Sequence, residues 1–151
     1  MSKAFMPEDA AAPEELALPA RPDRAQPITP RGYRRLASER SALEPSRYRA
    51  QVIDQILATV EVIAPAMIDG AAGFGCEIEV EDESAKRRVY TLVGPDEGDP
   101  TEGFISTTSP LGKALLGHRV TDVIEWKRNG RDEEWEVVDV RLPTEVELCV
   151  K

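Results

Sequence analysis

"FISTTSPLGKALLGHRVTDVIEWKRNGRDEEWEVVDVRL", Phe104–Leu142, is the stretch that decides the fold. "FISTT" has the β-branched character of a short strand. "SPLGKALLG" then reads as a short helix, because Ser109 is a good N-cap and Pro110 fits the first helical position, where its missing N–H costs nothing. "VTDVIEWKR" returns to strand. Asn129-Gly130 is the residue pair that a two-residue hairpin turn demands, and it sends the chain back through "EEWEVVDVRL".

Upstream, "CEIEVEDE" alternates, with Cys76, Ile78 and Val80 on one face and Glu77, Glu79 and Glu81 on the other. Period two with one apolar face predicts a half-buried antiparallel strand. "RRVYTLVG" follows as a second strand after the "DESAK" turn, and "GPDEGDPTEG" is crowded with Gly and Pro, so it reads as a solvated loop. One helix on an antiparallel sheet makes a small α+β domain over residues 70–151. Its expected core is Val89, Leu92, Ile105, Leu115, Leu116, Val120, Ile124, Trp126, Trp135 and Val137 or Val138.

Before residue 70 the apolar period lengthens toward 3.6 residues. Thr29 and Pro30 open a helix in "ITPRGYRRL", with Tyr33, Leu36 and Leu43 on one side and Arg31, Arg34, Arg35 and Arg40 on the others. Pro45 disfavours helix at Glu44, so the first helix should stop near there, and Ser46 can cap a second through "RYRAQVIDQILATVEVIA". Val52, Ile53, Ile56, Leu57, Val60 and Ile63 give it a broad apolar face. So short a turn makes residues 28–65 an antiparallel helical hairpin. Residues 1–27, rich in Pro, Ala and Glu without a sustained period, read as a flexible tail.

Charge is uneven. Residues 1–50 carry nine Lys/Arg against seven Asp/Glu, whereas the remainder carries ten against 21. So acidic a C-terminal part would be repelled by phosphates, which argues against unaided nucleic-acid binding there. Cys76 and Cys149 lack metal-ligand spacing and read as reduced structural thiols of a cytoplasmic protein. No apolar run of spanning length and no signal-peptide pattern occurs, so no membrane association is expected.

Nucleophilic catalysis would have to use Ser109, His118 and Asp122, because the chain has one His. They lie in a single segment without a G-x-S-x-G elbow, and Ser109 already has work as a cap. Asp96, Glu97, Asp99 and Glu102 lack the fixed spacing of a calcium loop. No phosphate loop, dinucleotide fingerprint or CxxC occurs. The chain is therefore expected to be no enzyme, with no catalytic residue, no metal site and no cofactor.

From Gly75 to about Leu142 the chain resembles the C-terminal domain of the GreA/GreB transcript-cleavage factors of bacterial RNA polymerase. The acidic alternating strand, "YTLVGPDEGDP", "ISTTSPLGKALLGHRVTD" and the closing hairpin stand in the family's order. "ITPRGYRRLASE" is similar to the start of the family's N-terminal helix, "VEVIAP" to its end, and "MSKAF" to a GreB start. The resemblance implies an FKBP-like antiparallel domain preceded by an antiparallel coiled coil; a monomer is expected, though the sequence does not fix the oligomeric state. It implies docking at the rim of the polymerase secondary channel, so that nucleic acid is met only through the polymerase complex. The docking loop maps onto Ser106, Thr108, Ser109, Pro110 and Leu111, with Thr108 where GreB commonly has an acid. Arg31, Arg34 and Arg35 are candidate basic contacts of the first helix.

In the family, acidic residues at the coiled-coil tip help hold catalytic Mg²⁺ for cleavage of backtracked RNA. Here Thr29–Ile63 is only 35 residues. At 1.5 Å per residue, an arm of roughly 15 residues spans about 20–25 Å. "LEPSR" offers Glu44 alone at the tip. The expectation is a polymerase-binding regulator that does not stimulate cleavage. Two alternatives stay open: a cleavage factor that uses Glu44, and a regulator like the Rnk proteins, which pair a short helical hairpin with such a β domain and were named as regulators of nucleoside diphosphate kinase.

Overall fold

Thr29 opens the first helix as its position dictates. In the computed structural model, which describes residues 17–143, α1 spans Pro30–Ser41, and the Thr29 hydroxyl accepts the Gly32 N–H at 3.0 Å. The helix stops at Ser41, short of Glu44, and α2 spans Tyr48–Thr59. Ser46 is not its cap. The cap position falls to Arg47, without a side-chain hydrogen bond, while the Ser46 carbonyl accepts Gln51 Nε2. Ile28, Leu36, Ile53 and Ile56 form a closed apolar core between the helices, flanked by Tyr33, Leu43, Val52, Leu57 and Val60.

The expected helix through "VEVIA" is not formed. Val60–Val62 is a strand, β2, lying parallel to β1 at Gln26–Ile28. β-branched residues suit that pairing, and it leaves Ile63 exposed rather than in the hairpin core. It also moves the tail boundary. Gln26 and Pro27 belong to a strand, and Arg21 makes side-chain contacts with Thr59 and Asp96. The expected tail before residue 17 lies outside the described residues.

The second layer is a five-stranded sheet of β3 (Glu77–Glu81), β4 (Arg87–Val93), β5 (Phe104–Ser106), β6 (Val123–Arg128) and β7 (Arg131–Arg141), in the order β5-β4-β3-β7-β6. Each pairing is antiparallel except β4 with β5, which is parallel. The exception has a cause: "GPDEGDPTEG" is no simple turn but a crossover with two 3₁₀ turns, Pro95–Glu97 and Pro100–Glu102. Asn129 and Gly130 both take positive φ, the conformation a tight hairpin needs.

Helix α3, Pro110–Leu115, packs Leu115 onto the sheet core of Ile78, Val80, Leu92, Ile124, Trp135, Val137 and Val140. Tyr90 stacks on Trp135 at 6.1 Å. Val89, Leu116 and Val120, expected inside, are exposed. Tyr90 and Leu92 occupy the inward positions of β4, which turns Val89 outward, while Leu116 and Val120 fall after the helix in the turn toward β6. This core and the hairpin core have no residue in common.

Candidate interaction site

The five loop residues singled out from the sequence form one hydrogen-bonded turn. β5 delivers Ser106, and the Thr107 N–H donates to the Val93 carbonyl at 2.9 Å, pinning the loop to β4. Ser106 Oγ accepts the Thr108 N–H and lies 2.7 Å from Thr108 Oγ1. The Ser106 carbonyl accepts both the N–H (3.0 Å) and the hydroxyl (2.7 Å) of Ser109. Ser109 Oγ in turn accepts the Gly112 N–H at 3.1 Å, making the residue the cap of α3. Leu111 packs against the sheet core, whereas Thr108 and Pro110 face solvent. The result is a hydrogen-bonded polar turn on which Pro110 is exposed.

The structure does not bring Ser109 and His118 together. The Ser109 hydroxyl gives its hydrogen to a carbonyl rather than to His118. His118 Nδ1 instead lies 3.3 Å from Asp122 Oδ2, which also accepts the Arg119 N–H. That N–H, followed by His118, holds the Asp122 carboxyl below its ordinary value. Among the described residues no group of three His, Cys, Asp or Glu could hold a metal ion, and no helix is long and apolar enough to cross a membrane. Cys76 is buried, and burial pushes its thiol up.

The three arginines separate. Arg31 lies over the Phe104 ring, 3.9 Å from its centroid, at the junction with the β domain. Arg34 and Arg35 are exposed on α1. Beside them Glu39 receives a two-pronged contact from Arg49, and Arg40 meets Asp54 at 2.7 Å, so part of the hairpin's charge is neutralised internally. Glu44 is exposed in the turn between the helices.

The residue that sequence reasoning missed is Glu97. Its Oε2 accepts the Thr29 N–H at 2.7 Å and the Gly94 N–H at 2.9 Å, and its Oε1 accepts the Thr29 hydroxyl at 2.5 Å. Burial pushes the Glu97 carboxyl above its ordinary value, opposed by these hydrogen bonds and by Arg31. Next to it Asp96 holds Arg21 through two bonds of 2.6 and 2.9 Å, and Arg21 Nε donates to Thr59. The solvated-loop expectation therefore fails at these two residues. A Glu three positions after Gly94 is a legible local cap pattern; its reach to Thr29, 68 residues away, is not.

Comparison with known proteins agrees with the fold. The family model "Transcription elongation factor, GreA/GreB, C-term" matches residues 67–142. The transcription elongation factor GreA of Cereibacter sphaeroides is 37% identical over 95 residues, covering 62% of this chain and 63% of its own. GreA of Alkalilimnicola ehrlichii is 36% identical over 96 residues, covering 62% and 61%. The chain thus spans less than two thirds of the length of the relatives it matches. A solved GreA/GreB factor from Nitrosomonas europaea is 28% identical, covering 79% of this chain and 99% of that one at a TM-score of 0.44, too low to add to the fold argument. With the family model spanning half of the sequence and the capped loop, sheet and closing hairpin in place, the chain belongs to the GreA/GreB family of transcription elongation factors.

Proposed function

We propose that this protein binds RNA polymerase near its secondary channel through the Ser106–Leu111 loop and modulates transcription without stimulating transcript cleavage. The observation that carries the reading is a complete, internally hydrogen-bonded loop beside a hairpin of two 12-residue helices whose turn presents Glu44 as its one acid. A 12-residue helix is about 18 Å long. A lone exposed carboxylate on such an arm neither reaches far into a channel nor completes a cation site, since hard divalent cations take several oxygen ligands. The protein acts by occupancy, on this reading, and performs no chemistry of its own. Arg34 and Arg35 serve as electrostatic contacts of the hairpin.

Co-purification with core polymerase tests docking. Wild type should be retained, and a variant with Ser109, Pro110 and Leu111 changed to Ala should be lost; equal recovery of the two, or recovery of neither, would remove the docking claim. A backtracked transcription complex tests the second half. Any 3′ cleavage that disappears in Glu44→Ala would show a working tip and overturn the non-catalytic reading.

The shortness of the hairpin also favours a Rnk-like regulatory role, in which the partner is a different enzyme. An unbiased pull-down separates the two, because only one of them recovers polymerase subunits in a manner that depends on the loop.

A further inference from the structure

The hairpin and the β domain bury their apolar side chains in two separate clusters. Besides the connection through residues 63–70, polar contacts from the crossover loop and a ring contact from the start of β5 join them. Glu97 takes the Thr29 amide and hydroxyl, Asp96 takes Arg21, and Phe104, where the loop enters β5, carries Arg31 on its ring. We propose that Glu97 is a positioning residue: its carboxylate latches the hairpin to the β domain and fixes the direction in which the hairpin projects from the Ser106–Leu111 loop. The consequence for partner binding rests on the reading of that loop as the polymerase contact.

Three features support a built latch. The backbone is shaped for it: a β-carbon added at Gly32 would stand 1.9 Å from Glu97 Oε1, and one at Gly94 would stand 1.9 Å from the Pro27 carbonyl oxygen. Only glycine admits so close an approach at both places. Both oxygens of the acceptor are also used, and three donors converge on one carboxylate. Finally, the latch and the docking loop share a short rigid element. β5 is three residues long, with Phe104 under Arg31 at one end and Ser106 opening the loop at the other. A polar latch between two independent cores sets orientation without being needed to fold either core, because hydrophobic burial stabilises each half separately.

The test uses the full chain with Cys149→Ser, and with spin labels at Ser38→Cys on α1 and Lys127→Cys on β6, both exposed positions. Cys76 stays, being fully buried. Pulsed electron paramagnetic resonance should give one narrow distance for the unaltered latch. In Glu97→Ala the distribution should broaden at least twofold, while the near-ultraviolet signal of the buried Trp135 is kept. Glu97→Asp, one methylene shorter, should broaden it too. If Glu97→Ala lost the tryptophan signal, Thr29→Val would decide, since it removes the hydroxyl partner from the other side and should broaden the distribution alike. Unchanged distances in a folded variant would overturn the latch.

Retention on immobilised core polymerase is the second arm, with Glu97→Ala expected to bind about tenfold more weakly despite an intact loop. Equal binding with broadened distances would overturn the positioning role. If wild type bound no polymerase, the docking reading would fail while the distances still judged the latch.

Discussion

Gly112 and Ser106 meet so closely that a β-carbon on Gly112 would lie 1.9 Å from the Ser106 carbonyl oxygen. That oxygen is the one that receives both the amide and the hydroxyl of Ser109. The contact seats the first turn of α3 against the end of β5.

Replacing Gly112 with Ala should therefore push the helix off the loop. Overpacking of this kind costs about 1–3 kcal/mol. Chemical denaturation should show that loss, and retention on polymerase should fall with it.

Thr29 serves two neighbours at once, capping α1 through Gly32 and donating to Glu97. Loss of an N-cap hydroxyl costs about 0.5–2 kcal/mol. Thr29→Ala should fall at or above the top of that range, because the Glu97 carboxylate also loses a partner. Thr29→Ser should restore most of the loss. Far-ultraviolet melting checks both.

Acidity should act on the same contact with a definite sign. Because the folded Glu97 carboxyl has a raised pKa, it binds its proton more tightly than the unfolded chain does. The proton-linked part of its contribution is fully present below the ordinary carboxylate range and is lost as pH rises through the raised folded value, while the hydrogen bonds accepted by the carboxylate remain. The stability difference between wild type and Glu97→Gln should follow that course, flattening at higher pH. A difference independent of pH from mild acid to neutrality would contradict the assignment.

The two apolar cores should fail separately. Leu115 and Ile53 are both fully buried, one in each cluster. Truncating either to Ala costs about 2–5 kcal/mol. Leu115→Ala should weaken the near-ultraviolet signal around Trp135, whereas Ile53→Ala should lower helical ellipticity and leave that signal in place.

Much of the molecule was legible because its determinants are local. Thr29-Pro30 and Ser109-Pro110 start helices where the residue types place them, through caps that reach only three residues. Asn129-Gly130 makes its turn because its two positive φ values belong to those two residues alone. The alternation of "EIEVE" sets which side chains point inward, since a strand's period is a property of its own backbone.

The misreadings were decided elsewhere. Val60–Val62 became a strand because Gln26–Ile28, more than thirty residues earlier, supplied its hydrogen-bonding partner. β5 runs parallel to β4 because the 3₁₀ crossover carries the chain to that edge of the sheet.

By itself, then, the sequence determined the caps, turns and alternating strands of the β domain, and with them the loop that carries the family resemblance. Only the tertiary structure decided what Asp96, Glu97 and Arg31 do. A charged side chain in a Gly/Pro-rich loop or on an exposed helix face looks solvated until the fold removes its water and supplies the distant donors or ring it then needs.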